Sequence, residues 1–142
     1  GHQTKGDKLS KLITNSRLEN NIIITGFIPD EDINPLIFFS KLFVFPSLYE
    51  GFGIPILDAQ ACQVPIAASN AGSLTEIGGD SVAYFNPKST DEITTTILKI
   101  LSLVDTNKIN TSIKKGLLNR NKFSWLKTAS KTVDVYNKII SD

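Results

Sequence analysis

The chain has 142 residues, 41% apolar and 20% charged, with a formal net charge of +1. That composition fits one folded domain and argues against a disordered chain or a strongly charged surface for nucleic acid. A single cysteine, Cys62, and a single histidine, His2, exclude an internal disulfide and argue against a Cys/His zinc site or a histidine-based hydrolase.

In chain order, residues 7–18 read as a helix with Leu9, Leu12 and Ile13 on one face. Ile22, Ile23 and Ile24 read as a first strand. Asn34-Pro35 reads as N-cap and first position of a helix through Leu36, Ile37 and Ser40. Leu42 to Phe45 read as a second strand, and Pro55 opens a short helix holding Leu57 and Asp58. Residues 65–68 and 82–85 read as two further strands. The apolar runs show no polar alternation, which is the pattern of parallel strands covered on both faces. Ser89-Thr90-Asp91-Glu92 fits a capping box before Ile93, Ile97, Ile100, Leu101 and Val104 at helical spacing. Helices near 106–121 and 125–140 close the chain, the last with Leu126, Ala129, Val133, Tyr136 and Ile140 on one stripe. Strand–helix alternation predicts an α/β fold, a Rossmann-like open parallel sheet with helices on both faces. No repeat or low-complexity linker divides the chain, so residues 1–142 read as a single domain. No apolar run is long enough to span a bilayer and no basic-then-apolar leader opens the sequence, which predicts a cytoplasmic location.

Ligands of open α/β sheets bind outside the carboxyl ends of the strands, the place that residues 46–54 occupy. Gly51 and Gly53 let backbone approach a ligand, and the helix start at Ile54-Pro55 offers unpaired N–H groups with partial positive charge. Glu50 can accept hydrogen bonds from hydroxyls, and Asp58, one turn inside the helix, can face the same space. Two carboxylates beside an anion-friendly helix start suit a ligand carrying both hydroxyls and phosphates, such as a nucleotide sugar. The same pattern also serves as plain punctuation between a strand and a helix, with the acids as dipole partners.

The stretch "FPSLYEGFGIPILDAQACQVPIAASNAGSLTEIGGDSVAYFNP" resembles the donor-binding core of family 4 glycosyltransferases, retaining enzymes of two-domain GT-B architecture. "IIITGFI" is similar to that family's strand leading to a glycine near the base, and "FSWLKTASKTVDVYNKII" resembles its closing helix. The resemblance implies that Glu50 binds donor-sugar hydroxyls and orients the anomeric carbon. It implies that the backbone N–H groups of Phe52, Gly53 and Ile54, beside Gly51, face sugar and diphosphate. Asp58 would hold the ribose hydroxyls, and Phe27 and Ile28 would border the base. The donor would be a nucleoside-diphosphate sugar used without a metal, and the setting cell-surface polysaccharide or lipopolysaccharide synthesis.

Two residues depart from the family pattern: Asp58 is one methylene shorter than the usual glutamate, and Gln63 stands where glycine is usual before the Pro-Val strand. The preceding strands, an Arg-Lys pair that grips diphosphate and an N-terminal acceptor-binding domain have no counterpart in these residues. Lys5 and Lys8 do not match that pair, so the chain reads as a fragment inactive alone. A non-catalytic nucleotide-sugar-binding module remains the rival reading, and an epimerase of the same architecture an alternative among enzymes. Asp30-Glu31-Asp32 is read as a dipole partner of the next helix rather than a metal site, Cys62 as a small core residue, and Phe123 and Trp125 as packing anchors. Lys114, Lys115, Arg120 and Lys122 read as a solvated basic face, or as a contact with an anionic lipid surface if the acceptor is lipid-linked, which would place the protein peripherally at the inner face of the membrane.

Overall fold

A computed structural model describes residues 8–106 and 108–141; His2 and Lys5 lie outside them. The contacts of the chain form two compact units, residues 1–33 and 34–142. In the first, α1 (Lys8–Asn15) buries Ile13 and leaves Leu9 and Leu12 on the surface. The segment Ile22–Ile24, expected as a strand, carries no strand structure, and Ile23 is 87% exposed. A strand exists only through hydrogen bonds to a neighbour, and the described residues of this unit contain no second strand to supply them.

Helix α2 (Asp30–Phe38) starts five residues before Pro35, the expected first position, and holds Pro35 inside it. The first turn is Asp30, Glu31 and Asp32, whose charges complement the helix dipole, and that signal overrides the proline as a start marker. Pro35 forfeits one hydrogen bond but its fixed φ is already helical.

In the second unit, β1 (Phe43–Phe45), β2 (Ile66–Ser69) and β3 (Val82–Phe85) form a parallel sheet in the order β1-β2-β3. Val44 pairs with Ala67, which pairs with Ala83. Because strand side chains alternate between faces, an apolar run covers both. On one face Ile66, Ala68 and Val82 pack with Ile56 and Ala59 of α3 (Ile54–Ala61), Leu74 of α4 (Leu74–Gly78) and Ile37 of α2. On the other, Ala67 and Phe85 pack with Ile100 of α5 (Thr90–Asp105). The predicted open parallel sheet with helices on both faces is therefore the observed one.

Ser89 caps α5 as its capping-box sequence predicts, accepting a hydrogen bond from the Glu92 N–H at 3.2 Å. The reciprocal Glu92 carboxylate reaches the Asn86 N–H instead, at 2.9 Å, tying the helix start to the exit of β3. Helices α6 (Asn110–Arg120) and α7 (Trp125–Ser141) follow. The stripe on α7 is present but stays exposed, with Leu126 at 82%, and Trp125 does not act as a packing anchor, being 80% exposed. No helix among the described residues is long and apolar enough to cross a membrane.

Gln63 explains its own departure from the family pattern. After α3, the Gln63 N–H bonds the Gln60 carbonyl at 3.2 Å and the Val64 N–H bonds that of Ala59 at 3.1 Å. This is the Schellman ending, whose first residue past the cap is left-handed, and Gln63 has φ 59°. A side chain there is strained by about 1–2 kcal/mol relative to glycine. Gln63→Gly is expected to stabilise the fold by roughly 0.5–1 kcal/mol after its greater unfolded-state entropy is subtracted; a denaturant midpoint equal to or below the native one overturns this. Cys62, read as a core residue, caps the same helix and is only half-buried, its thiol 3.6 Å from the Asn34 carbonyl.

Candidate functional site

Residues 46–53 leave the carboxyl end of β1 without regular structure and lead into α3. Gly53 is the N-cap of α3 with φ 101° and ψ 43°, a conformation open to glycine. Pro55 follows in the first turn, where its missing N–H has no intrahelical partner to lose. Pro55 has no N–H and the Ile56 N–H bonds the Gly53 carbonyl at 3.0 Å, so the N–H groups of Gly53 and Ile54 are the ones the helix start offers, directly after the turn that carries Glu50.

A second loop, after β2, builds the other half of the site. The Ser73 hydroxyl lies 3.1 Å from the Glu50 carbonyl and 2.9 Å from that of Phe52, so it braces the turn from outside. Gly72, at φ 57°, runs so close that an added Cβ would sit 3.1 Å from the Glu50 carbonyl oxygen. Ser47 donates to Glu50 Oε1 at 2.8 Å and so fixes the carboxylate within its own loop. These three residues escaped the sequence reading of the site. Ser47 is legible in retrospect as a hydroxyl three residues before an acid, whereas the Ser73 contact joins positions more than twenty apart and has no local signal.

Asp58 lies on α3, part-buried, as expected of a residue one turn inside the helix. Burial pushes its carboxyl pKa above the ordinary 3.8, and the positive charge of Arg120 at the end of α6 partly opposes that shift. Arg120, read from sequence as part of a solvated basic face, is thus an electrostatic neighbour of this acid. Phe52, exposed by 43%, meets Phe123 edge to face, with centroids 5.8 Å apart and planes at 90°. Phe123 therefore does act as an anchor, for the turn. Beneath the turn, buried Gln60 and Asn119 join α3 to α6: Gln60 donates to the Gly78 carbonyl at 3.0 Å and to Ser81 Oγ at 2.8 Å, and Asn119 donates to the Ile77 carbonyl at 2.7 Å.

Glu50, Gly51, Phe52, Gly53, Ile54 and Asp58 thus occupy one continuous turn-and-helix segment at the carboxyl edge of the sheet. Phe27, 90% exposed, and Ile28, half-buried, belong to the first unit, just before α2. Acids that accept hydrogen bonds from hydroxyls, beside N–H groups at a helix start that donate to anionic oxygens, can hold a polyhydroxylated phosphate ester. A cavity of about 310 Å³ lies elsewhere, beside the start of β3 and lined by Asp80, Thr96, Lys99, Ile100 and Leu103. It takes none of these groups and is not the candidate site.

Comparison with known proteins gives the site its context. The chain is 38% identical over 130 residues to O-antigen chain mannosyltransferase B of Escherichia coli, covering 92% of this chain and 34% of that protein. It is 30% identical over 135 residues to MMP alpha-(1->4)-mannosyltransferase of Mycolicibacterium hassiacum, covering 92% of this chain and 32% of that protein. Among solved structures, sucrose-phosphate synthase from Thermosynechococcus elongatus superposes with TM-score 0.82 at 25% identity, over 94% of this chain and 34% of that one. The chain thus spans about a third of the length of these relatives. Its open parallel α/β sheet is that of structural neighbours of GT-B architecture. The family described as glycosyl transferases group 1 matches residues 1–115, which include every strand and the whole Glu50–Asp58 segment, and the chain belongs to that family.

Proposed function

We propose that this chain is the donor-binding part of a retaining family 4 glycosyltransferase, which transfers a sugar from a nucleoside-diphosphate sugar to an acceptor without a bound metal. The observation that carries the reading is the braced turn. Glu50 is held by Ser47 and its carbonyl by Ser73, next to the N–H groups of Gly53 and Ile54 at the start of α3. In this reading Glu50 binds donor-sugar hydroxyls and orients the anomeric carbon. The N–H groups of Phe52, Gly53 and Ile54, beside Gly51, offset charge that develops on the leaving diphosphate. Asp58 holds the ribose, and Phe27 and Ile28 border the base. Departure of the diphosphate on the face that the acceptor attacks retains configuration. Two relatives are named mannosyltransferases, one of them acting on O-antigen, which supports a mannosyl donor and a role in cell-surface polysaccharide synthesis. The acceptor is then a glycan, lipid-linked at the inner membrane face, met by an acceptor-binding domain of the full-length protein in the cytoplasm.

The test is calorimetric titration of the full-length protein with GDP, UDP, ADP and GDP-mannose. Saturable binding of one nucleotide class, weakened about tenfold or more by Asp58→Ala, is expected; this is the size of one lost charge-assisted hydrogen-bonding group. An unaltered Kd in that variant removes Asp58 from the ribose, and no binding of any nucleotide sinks the donor-site reading.

Asp58 also carries a pH signature. Its folded pKa is raised, so folding penalises the ionised form. Well below 3.8 the carboxyl is neutral in both states and no penalty exists; the penalty enters as pH rises from 3.8 through the raised folded value and persists above it. Asp58→Asn removes it. The stability of the variant relative to the native protein should therefore climb over that acid window and stay level beyond. A difference that is flat across the window, or falls with pH, contradicts the burial that the structure shows.

A further inference from the structure

We infer that Phe123 is a positioning residue of the donor turn, holding the backbone of residues 51–53 in register through the ring of Phe52. This rests on the donor-site reading above and adds to it a residue outside the 1–115 span that the family matches.

The turn has little of its own to hold it. Gly51 has open space where a side chain would stand, and Gly53 takes a left-handed conformation. Residues 46–53 carry no helix or strand. The two Ser73 contacts restrain the carbonyl oxygens of Glu50 and Phe52 and with them the planar Glu50–Gly51 and Phe52–Gly53 peptides. The roll of the intervening Gly51–Phe52 peptide, the one that carries the Phe52 N–H, is left to be set by the Phe52 side chain. That side chain meets one aromatic partner among the described residues, the edge-to-face contact with Phe123 at 5.8 Å.

Phe123 is fixed in turn. The Lys122 N–H bonds the Asn119 carbonyl and the Phe123 N–H bonds that of Arg120, both at 3.0 Å, so the exit of α6 is a tight turn. Asn119 is 7% exposed and its side-chain amide is anchored on the Ile77 carbonyl and on Gln60. A rigid chain of contacts therefore runs from the buried amides through Phe123 to the Phe52 ring. The same junction brings the charge of Arg120 to bear on Asp58. The N–H groups of Phe52, Gly53 and Ile54 act on a developing charge only where their directions are preset, so a looser turn loses transition-state stabilisation before it loses donor binding.

The experiment uses the full-length protein with Phe123→Ala, Phe123→Tyr, Phe52→Ala, the Phe52→Ala/Phe123→Ala double variant and Glu50→Gln. Backbone amide order parameters of residues 52–54 are read by NMR relaxation without ligand, and release of GDP from GDP-mannose gives kcat and KM. Phe123→Ala is expected to lower the order parameters at 52–54 from the rigid range of about 0.85 toward about 0.6, with β1–β3 amides unchanged. It should lower kcat by about two- to tenfold, the range an edge-to-face pair supports, and move KM less than about twofold. Phe123→Tyr restores both, and the double variant is no worse than the poorer single one. Unchanged order parameters and kcat in Phe123→Ala, or losses that add in the double variant, overturn the positioning role while leaving the donor site intact if Glu50→Gln is inactive. Full activity in Glu50→Gln removes the donor site and the positioning role together. Lower order parameters across β1–β3 as well assign Phe123 to general packing and also overturn the proposal.

Discussion

Glu50→Gln in the full-length protein is expected to lower turnover by about 10²–10³-fold, the usual size of losing one preorganised electrostatic group at a reacting centre, while the fold stays within about 0.5 kcal/mol of native. The substitution is nearly isosteric, and the glutamine carbonyl can still accept the Ser47 hydroxyl that now lies 2.8 Å from Oε1. What disappears is the charge, which in the donor-site reading strengthens hydrogen bonds from sugar hydroxyls and stabilises positive character at the anomeric carbon as the diphosphate leaves. The loss should therefore fall on kcat more than on donor KM. Native kcat in this variant, with an intact thermal transition, removes Glu50 from the reaction. An equal loss produced by Ser47→Ala would show that holding the carboxylate matters as much as having it.

The parts of this fold that were legible in the sequence are those whose cause is local. The three strands of the second unit read as uninterrupted apolar runs because both faces of the sheet are covered, by α2, α3 and α4 on one side and α5 on the other. Gly53 and Pro55 marked the start of α3 because cap geometry demands their backbone properties. Ile22–Ile24 misled for a non-local reason: strand propensity is only the capacity to pair, and no described strand of that unit answers it. At α2 two local signals conflicted, and the acidic first turn prevailed over Asn34-Pro35. The site was half-legible on the same principle. Glu50, the glycines and Asp58 are contiguous and could be read together. The groups that brace them, Ser73, Arg120 and Phe123, come from segments distant in sequence, and a single sequence carries no record of which distant residues meet.

The two glycines of the turn separate structure from function. Gly53→Ala is expected to destabilise the fold by roughly 2–4 kcal/mol. At φ 101° an L residue is strained, and its Cβ would stand 2.6 Å from Cδ2 of Leu74, which is fully buried; each effect is worth about 1–3 kcal/mol, and movement of the leucine side chain relieves part of the second. Because Gly53 caps α3, any relaxation also redirects the N–H groups at the helix start, so activity should fall further than the loss of folded protein explains. Gly51→Ala provides the contrast. Apart from its own residue and chain neighbours, no atom lies within 4 Å of the position its Cβ would take, and its φ lies outside the left-handed range, so the thermal midpoint should stay close to native. In the donor-site reading that open space is where the ligand approaches the backbone, and the added methyl group should raise donor KM severalfold without unfolding anything. Denaturant titrations beside donor kinetics on the two variants make the comparison. If Gly51→Ala leaves KM untouched, the donor does not pass over that face of the turn. If Gly53→Ala is as stable as Gly51→Ala, the left-handed cap is not the feature that shapes it.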